Sequence, residues 1–182
     1  MSKAFWLGSA LVGVVLAGTA YACIEALDLN KMVAKTDVAV RGTITGVRTV
    51  KYTPPGDERM IYTLVTVEGE DLYNGQPRTL EAGFVGGSFG GDSMIVTSMP
   101  APADYRVGSK VVLFSAPVEG WGPEVSRCVY ASYGGVFKEV STKNGPVILG
   151  KGEGFAIDKN TSLVDLRAGI ATALELKAKE AK

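Results

Sequence analysis

The chain of 182 residues has no histidine, only two cysteines and no net charge, its 19 Lys and Arg being matched by 19 Asp and Glu. The missing histidine removes every mechanism built on an imidazole base and takes away the commonest zinc ligand. The balanced charge gives no electrostatic reason to bind DNA, RNA or an anionic membrane, so no nucleic-acid partner is expected. An enzyme of this composition would depend on carboxylates, Lys, Tyr or a thiol. The 23 glycines and 8 prolines stay below the share of about 25–30% that marks low complexity. A single folded domain rich in turns, with a detachable segment in front, follows from these bounds.

The detachable segment is residues 1–22. One positive charge at Lys3 precedes an apolar run from Ala4 to Ala17, and small residues stand at Ala20 and Ala22. That order predicts a secretory signal peptide with an Ala-x-Ala cleavage site, because the core is too short and too Gly-rich for a permanent anchor. Cleavage after Ala22 leaves Cys23 as the first mature residue and predicts a secreted or periplasmic protein. A cysteine there is also what a lipobox delivers, although the box wants Leu where this chain has Ala20; a membrane is expected as partner only if Cys23 is lipidated. Export places Cys23 and Cys128 where thiols oxidise. Either they form one disulfide, closing a long loop and pinning the mature N-terminus, or they are two unrelated thiols.

The mature chain divides into residues 23–158, dominated by strand signals, and 159–182, with a helical one. Leu27, Leu29, Met32 and Val33, uninterrupted by Gly or Pro, suggest a short helix over 27–35. From Asp37 to Val47 the alternation places Val38, Val40 and Ile44 on one face and Arg41, Thr43 and Thr45 on the other, with Gly42 and Gly46 marking bends. A Pro-Gly turn over Tyr52 to Asp57 separates this strand from a second over Met60 to Val67, and Asn74-Gly75 turns into a third over Arg78 to Phe84. The Gly-rich stretch that follows reads as a long exposed loop; it lacks the Lys and helix start that a phosphate cradle needs. Val111 to Phe114 has the apolar run of a central strand, Glu119 to Gly122 reads as a hairpin tip, and Val125 to Tyr130 and Gly135 to Val140 form two more strands. Many short strands with regular turns predict a sandwich or small barrel. In the tail, Leu163, Leu166, Ile170, Ala173 and Leu174 follow a 3.6-residue period behind a cap at Ser162 and Asp165, which predicts an amphipathic helix. Asn160-Thr161-Ser162 also fits the glycosylation pattern, but capping accounts for it.

Cys23 exposed by cleavage, then Thr36 to Gly42, Ile61-Tyr62-Thr63, Leu72-Tyr73-Asn74-Gly75, Gly108 to Phe114 and a late cysteine come in an order that resembles the netrin-like domain. Within it, the order is similar to the N-terminal domain of the tissue inhibitors of metalloproteinases, over Cys23 to about Val140. The same words also look like a recurrent bacterial exported domain with a mid-chain Gly-Gly loop. The resemblance implies a mainly β fold: an OB-like Greek-key barrel of five or more strands, with a short N-terminal helix and a C-terminal amphipathic helix packing on or extending from the barrel. It implies no cofactor and no resident metal. In the inhibitors the α-amino group and carbonyl of the first cysteine chelate the zinc of a target protease, and the next side chain enters the specificity pocket; those positions here are Cys23 and Ile24, with Glu25 following. This chain has Cys23-Ile24-Glu25 where the inhibitors have Cys-x-Cys. The purely structural alternative for Cys23 is a disulfide staple to Cys128.

These readings predict a non-enzymatic, exported protein-binding module, with a secreted zinc metalloprotease as candidate partner. The expected contact set is Cys23, Ile24, Glu25, Tyr52, Arg59, Phe84, Ser88 and Phe89. Two alternatives stand beside it: a structural or envelope-associated domain without catalytic activity, and an oligosaccharide-binding module of the OB type. Catalysis by carboxylates has little support, because Asp57, Glu58, Glu68, Glu70 and Asp71 lie in turns or at strand ends and no spacing singles out a pair.

Overall fold

The computed structural model describes residues 27–53 and 59–180. Residues 1–22, which the sequence predicts to be a signal peptide, lie outside the described residues, as do Cys23, Ile24, Glu25 and 54–58 within the first predicted turn. Helix α1 (Leu29–Lys35) leads into β1 (Val38–Tyr52), β2 (Met60–Asp71) and β3 (Pro77–Val85). A small hairpin of β4 (Gly87–Phe89) and β5 (Asp92–Met94) follows, then β6 (Lys110–Pro117) and β7 (Arg127–Val129). A 3-10 turn (Ser132–Gly135), β8 (Val136–Thr142), β9 (Gly145–Ile148), β10 (Thr161–Ser162) and helix α2 (Leu163–Glu180) complete the chain.

Five strands close a barrel. β1 pairs antiparallel with β2 and, through its first half, with β6; β2 pairs with β3; β7 joins β6 to β3, the last contact being parallel at Gly83 and Cys128. The cycle β1-β2-β3-β7-β6 gives an OB-like Greek-key barrel. β8, β9 and β10 extend the sheet from β6.

Alternation decides which side chains fill it. Val38, Val40, Ile44, Val65, Val67, Leu80, Ala82, Phe84, Val111, Leu113, Val129 and Val136 form the interior. Their neighbours of opposite parity within each strand, Ala39, Val112 and Phe114, point outward under the two helices, where Met32 and Val33 of α1 meet Leu166, Ile170 and Ala173 of α2. A register shift between Ile44 and Gly46 reverses the parity of β1, so that Val50 lies outside with Tyr62, Leu64 and Val125 in a separate apolar cluster. Tight coiling of the β1–β2 ribbon is possible because Gly42 faces Gly69. A Cβ on Gly42 would lie 2.2 Å from the Glu68 carbonyl oxygen, and one on Gly69 would lie 2.0 Å from that of Arg41.

The helix of the tail starts as its cap predicts: the Asp165 N–H donates to Ser162 Oγ at 3.1 Å, and the Ser162 hydroxyl lies 2.6 Å from Asp165 Oδ2. Its far end serves α1, since Lys177 Nζ donates to the carbonyls of Val33 (3.0 Å) and Thr36 (2.7 Å). The Gly-rich stretch differs from the long loop expected of it. Its first part folds into β4 and β5, and its second part brings Met99 and Tyr105 against the barrel interior, where Tyr105 meets Phe84 edge-on at 5.1 Å.

Candidate functional site

The β4–β5 hairpin is docked on the end of the β1–β2 ribbon. Thr49 Oγ1 donates to the Ser88 carbonyl (2.8 Å), Thr63 Oγ1 to that of Gly86 (2.7 Å), and Lys51 pairs with Asp92. Gly87, at φ 133°, lies so close to β2 that a Cβ there would be 2.4 Å from Thr63 Oγ1. Ser88 and Ser93 link their hydroxyls across the hairpin at 2.8 Å. The arrangement encloses a recess of about 320 Å³ lined by Lys51, Arg59, Ile61, Asp92, Ser93 and Met94. Lys51 holds the Asp92 carboxyl below the usual carboxylate range. At the hairpin tip Phe89 is 42% exposed, and Ile95, which follows β5 at the other end of the hairpin, is 89% exposed.

The outer face of β1, β2 and β3 is occupied by the chain itself. The segment between β6 and β7 crosses it, with Trp121 stacked on Tyr62 at 4.9 Å between ring centres and Gly122 against the Tyr52 ring. Gly120 and Gly122 take positive φ, 80° and 92°, which L side chains rarely adopt. Arg48 holds the strap by bonding Glu124 at 2.8 Å while gripping both oxygens of Glu81 at 3.0 and 2.8 Å. Arg48 in turn holds the Glu81 carboxyl down.

Two of the other recesses among the described residues are notable for their lining. Arg41 makes a two-pronged bond to Glu139, whose side chain is 1% exposed, and Glu70 makes one to Arg167. Arg41, Glu139 and Glu70 line a polar hollow with Gly42, Gly69 and Lys110, each of the three held in one of these ion pairs. The other is an apolar cavity of about 260 Å³ between Leu27, the 3-10 turn and Phe155. Ala131 and Ser132 beside it both have positive φ, 55° and 46°, an arrangement that costs L residues on the order of 1–2 kcal/mol each.

The predicted contact residues separate accordingly. Arg59, Ser88 and Phe89 come to one end of the barrel. Tyr52 is half-buried beneath Gly122 and belongs to the strap contact. Phe84 requires a correction: it is fully buried inside the barrel and cannot contact a partner, because it shares the inward parity of Leu80 and Ala82. Cys23, Ile24 and Glu25 fall outside the described residues. Cys128 is half-buried on β7, and burial pushes its thiol up. Sequence reasoning treated Glu119 to Gly122 as a hairpin tip and missed that Trp121 covers the sheet; the signal was a lone Trp between two glycines. It missed the cavity altogether, and nothing in the sequence marks Ala131 and Ser132 as left-handed.

No protein-family model, curated protein or solved structure matches this chain. Among the described residues no helix is long and apolar enough to cross a membrane.

Proposed function

We propose that this chain is an exported protein-binding module that meets its partner with the barrel end built from the β1–β2 and β4–β5 hairpins. The observation that carries the reading is the docked β4–β5 hairpin: it holds Phe89 and Ile95 in solvent beside a recess edged by Lys51, Arg59 and Asp92. Exposed apolar anchors next to a charged rim have the anatomy of a protein interface. The partner class favoured is a secreted zinc metalloprotease, with the mature amine and carbonyl of Cys23 as the zinc-directed group. A neutral amine and a carbonyl oxygen form a five-membered chelate and displace the attacking water. The oligosaccharide reading ranks behind, because the outer sheet face it would use is filled by Trp121 and its strap.

The test is inhibition of a panel of secreted zinc proteases by the mature protein, by a form carrying one extra Ala before Cys23, and by Phe89→Ala. Inhibition is expected from the first, abolished by the extension and weakened by Phe89→Ala. Equal inhibition by native and extended protein would move the site away from Cys23. No inhibition by any form would leave the structural or envelope role as the better account.

A further inference from the structure

We propose that the apolar cavity beside Tyr133 and the ammonium group of Lys151 together form a binding site for a free medium-chain monocarboxylate, the hydrocarbon chain lying in the cavity and the carboxylate meeting Lys151. This goes beyond the protein-binding reading and does not depend on it. The cavity is lined by Leu27, Ala131, Tyr133, Phe155 and Ala156, with Thr97 and Ser98 on its exposed side. An apolar cavity of about 150 Å³ accommodates benzene, so the larger volume of about 260 Å³ suits a chain of roughly six to ten carbons.

Tyr133 joins the two halves of the site. It lines the cavity, its ring lies edge-on to Phe155 at 5.6 Å, and Lys151 Nζ sits 3.4 Å from the ring centre and donates to the Tyr133 carbonyl. Phe137 is 5.4 Å from the same nitrogen. Among the described residues no carboxylate pairs with Lys151. The acid whose charge acts on it, Asp104, is tied to Lys138 at 3.2 Å, and Lys138 adds a like charge. Burial accordingly pushes the amine down to about 8. A partly desolvated cation whose nearest acid is already tied to Lys138, next to the tyrosine that lines an empty apolar volume, matches an anion with a hydrocarbon tail. An apolar ligand would leave the cation uncompensated, and an amine would add to the repulsion from Lys138.

Calorimetric titration of the mature protein with octanoate, octylamine and acetate tests the site. Octanoate should saturate at one per chain, and the other two should not bind. Lys151→Gln should weaken octanoate at least about tenfold, the loss expected for one charge-assisted hydrogen bond. Lys151→Arg should retain binding, and Thr97→Phe, at the exposed side, should block it without touching the buried core. The affinity should hold up to about pH 8 and fall above it as Lys151 loses its proton, Asp104 and Lys138 being the charged groups that act on it. Equal octanoate affinity in Lys151→Gln, equal binding of octylamine, or no saturation would each overturn the assignment.

Discussion

Gly42 and Gly46 look alike in the sequence, both in a strand and both candidate bends, yet the structure gives them different duties. At Gly42 any side chain would strike the backbone of Glu68 and Gly69, whereas a Cβ on Gly46 would meet the side chain of Thr66, its Oγ1 at 3.4 Å and its Cβ at 3.6 Å. Backbone cannot move aside as a flexible side chain can. Gly42→Ala is therefore expected to lower stability by at least about 2 kcal/mol, and Gly46→Ala to change it by less than about 1 kcal/mol, measured by urea unfolding. Similar losses in the two variants would show that the β1–β2 contact is looser than described. Phe84 teaches the same lesson in reverse: expected in the contact set with Ser88 and Phe89, it is placed inside by the closing of the barrel.

Among the elements, α2 shows how local and distant signals combine. Its start was legible, because Ser162 and Asp165 stand three residues apart before a periodic apolar run, and the cap they form is an interaction between near neighbours. Its partner was not: that Leu166, Ile170 and Ala173 would pack against Met32 and Val33 depends on contacts across more than 130 positions of chain. The two kinds of interaction are separable by experiment. Ser162→Ala should cost about 1 kcal/mol by loss of the cap. Lys177→Met should cost a similar amount, about 1–2 kcal/mol, by leaving the carbonyls of Val33 and Thr36 at the end of α1 unpaired. Amide exchange in α1 should quicken in the second variant and not in the first; protection of α1 that is unchanged by Lys177→Met would reject the tether.

For the whole molecule, covalent linkage turns on Cys128. Its half-buried thiol lies on the outer face of β7, between Ala116 and Gly83 in register. If oxidation joins it to Cys23, the mature protein should weigh two hydrogens less than its reduced form, and Cys128→Ser should lower stability by roughly 2–5 kcal/mol under oxidising conditions only. An identical melting temperature for wild type and Cys128→Ser without reductant would mean two independent thiols.

The sequence alone determined the strands whose apolar residues alternate, the turn at Asn74-Gly75 and the capped helix at the C-terminal end. Each of these depends on residues within a few positions of one another, where spacing, φ preference and capping act directly. Only the tertiary structure decided which face of each strand became the interior, why Trp121 covers Tyr62, and how Leu27, Ala131, Tyr133 and Phe155 came to enclose a cavity beside Lys151. Those outcomes require segments far apart in the chain to meet. Period-two alternation is symmetric between the two faces until barrel closure buries one of them, and the loss of Lys151's hydration exists only once Tyr133 and Phe137 surround it.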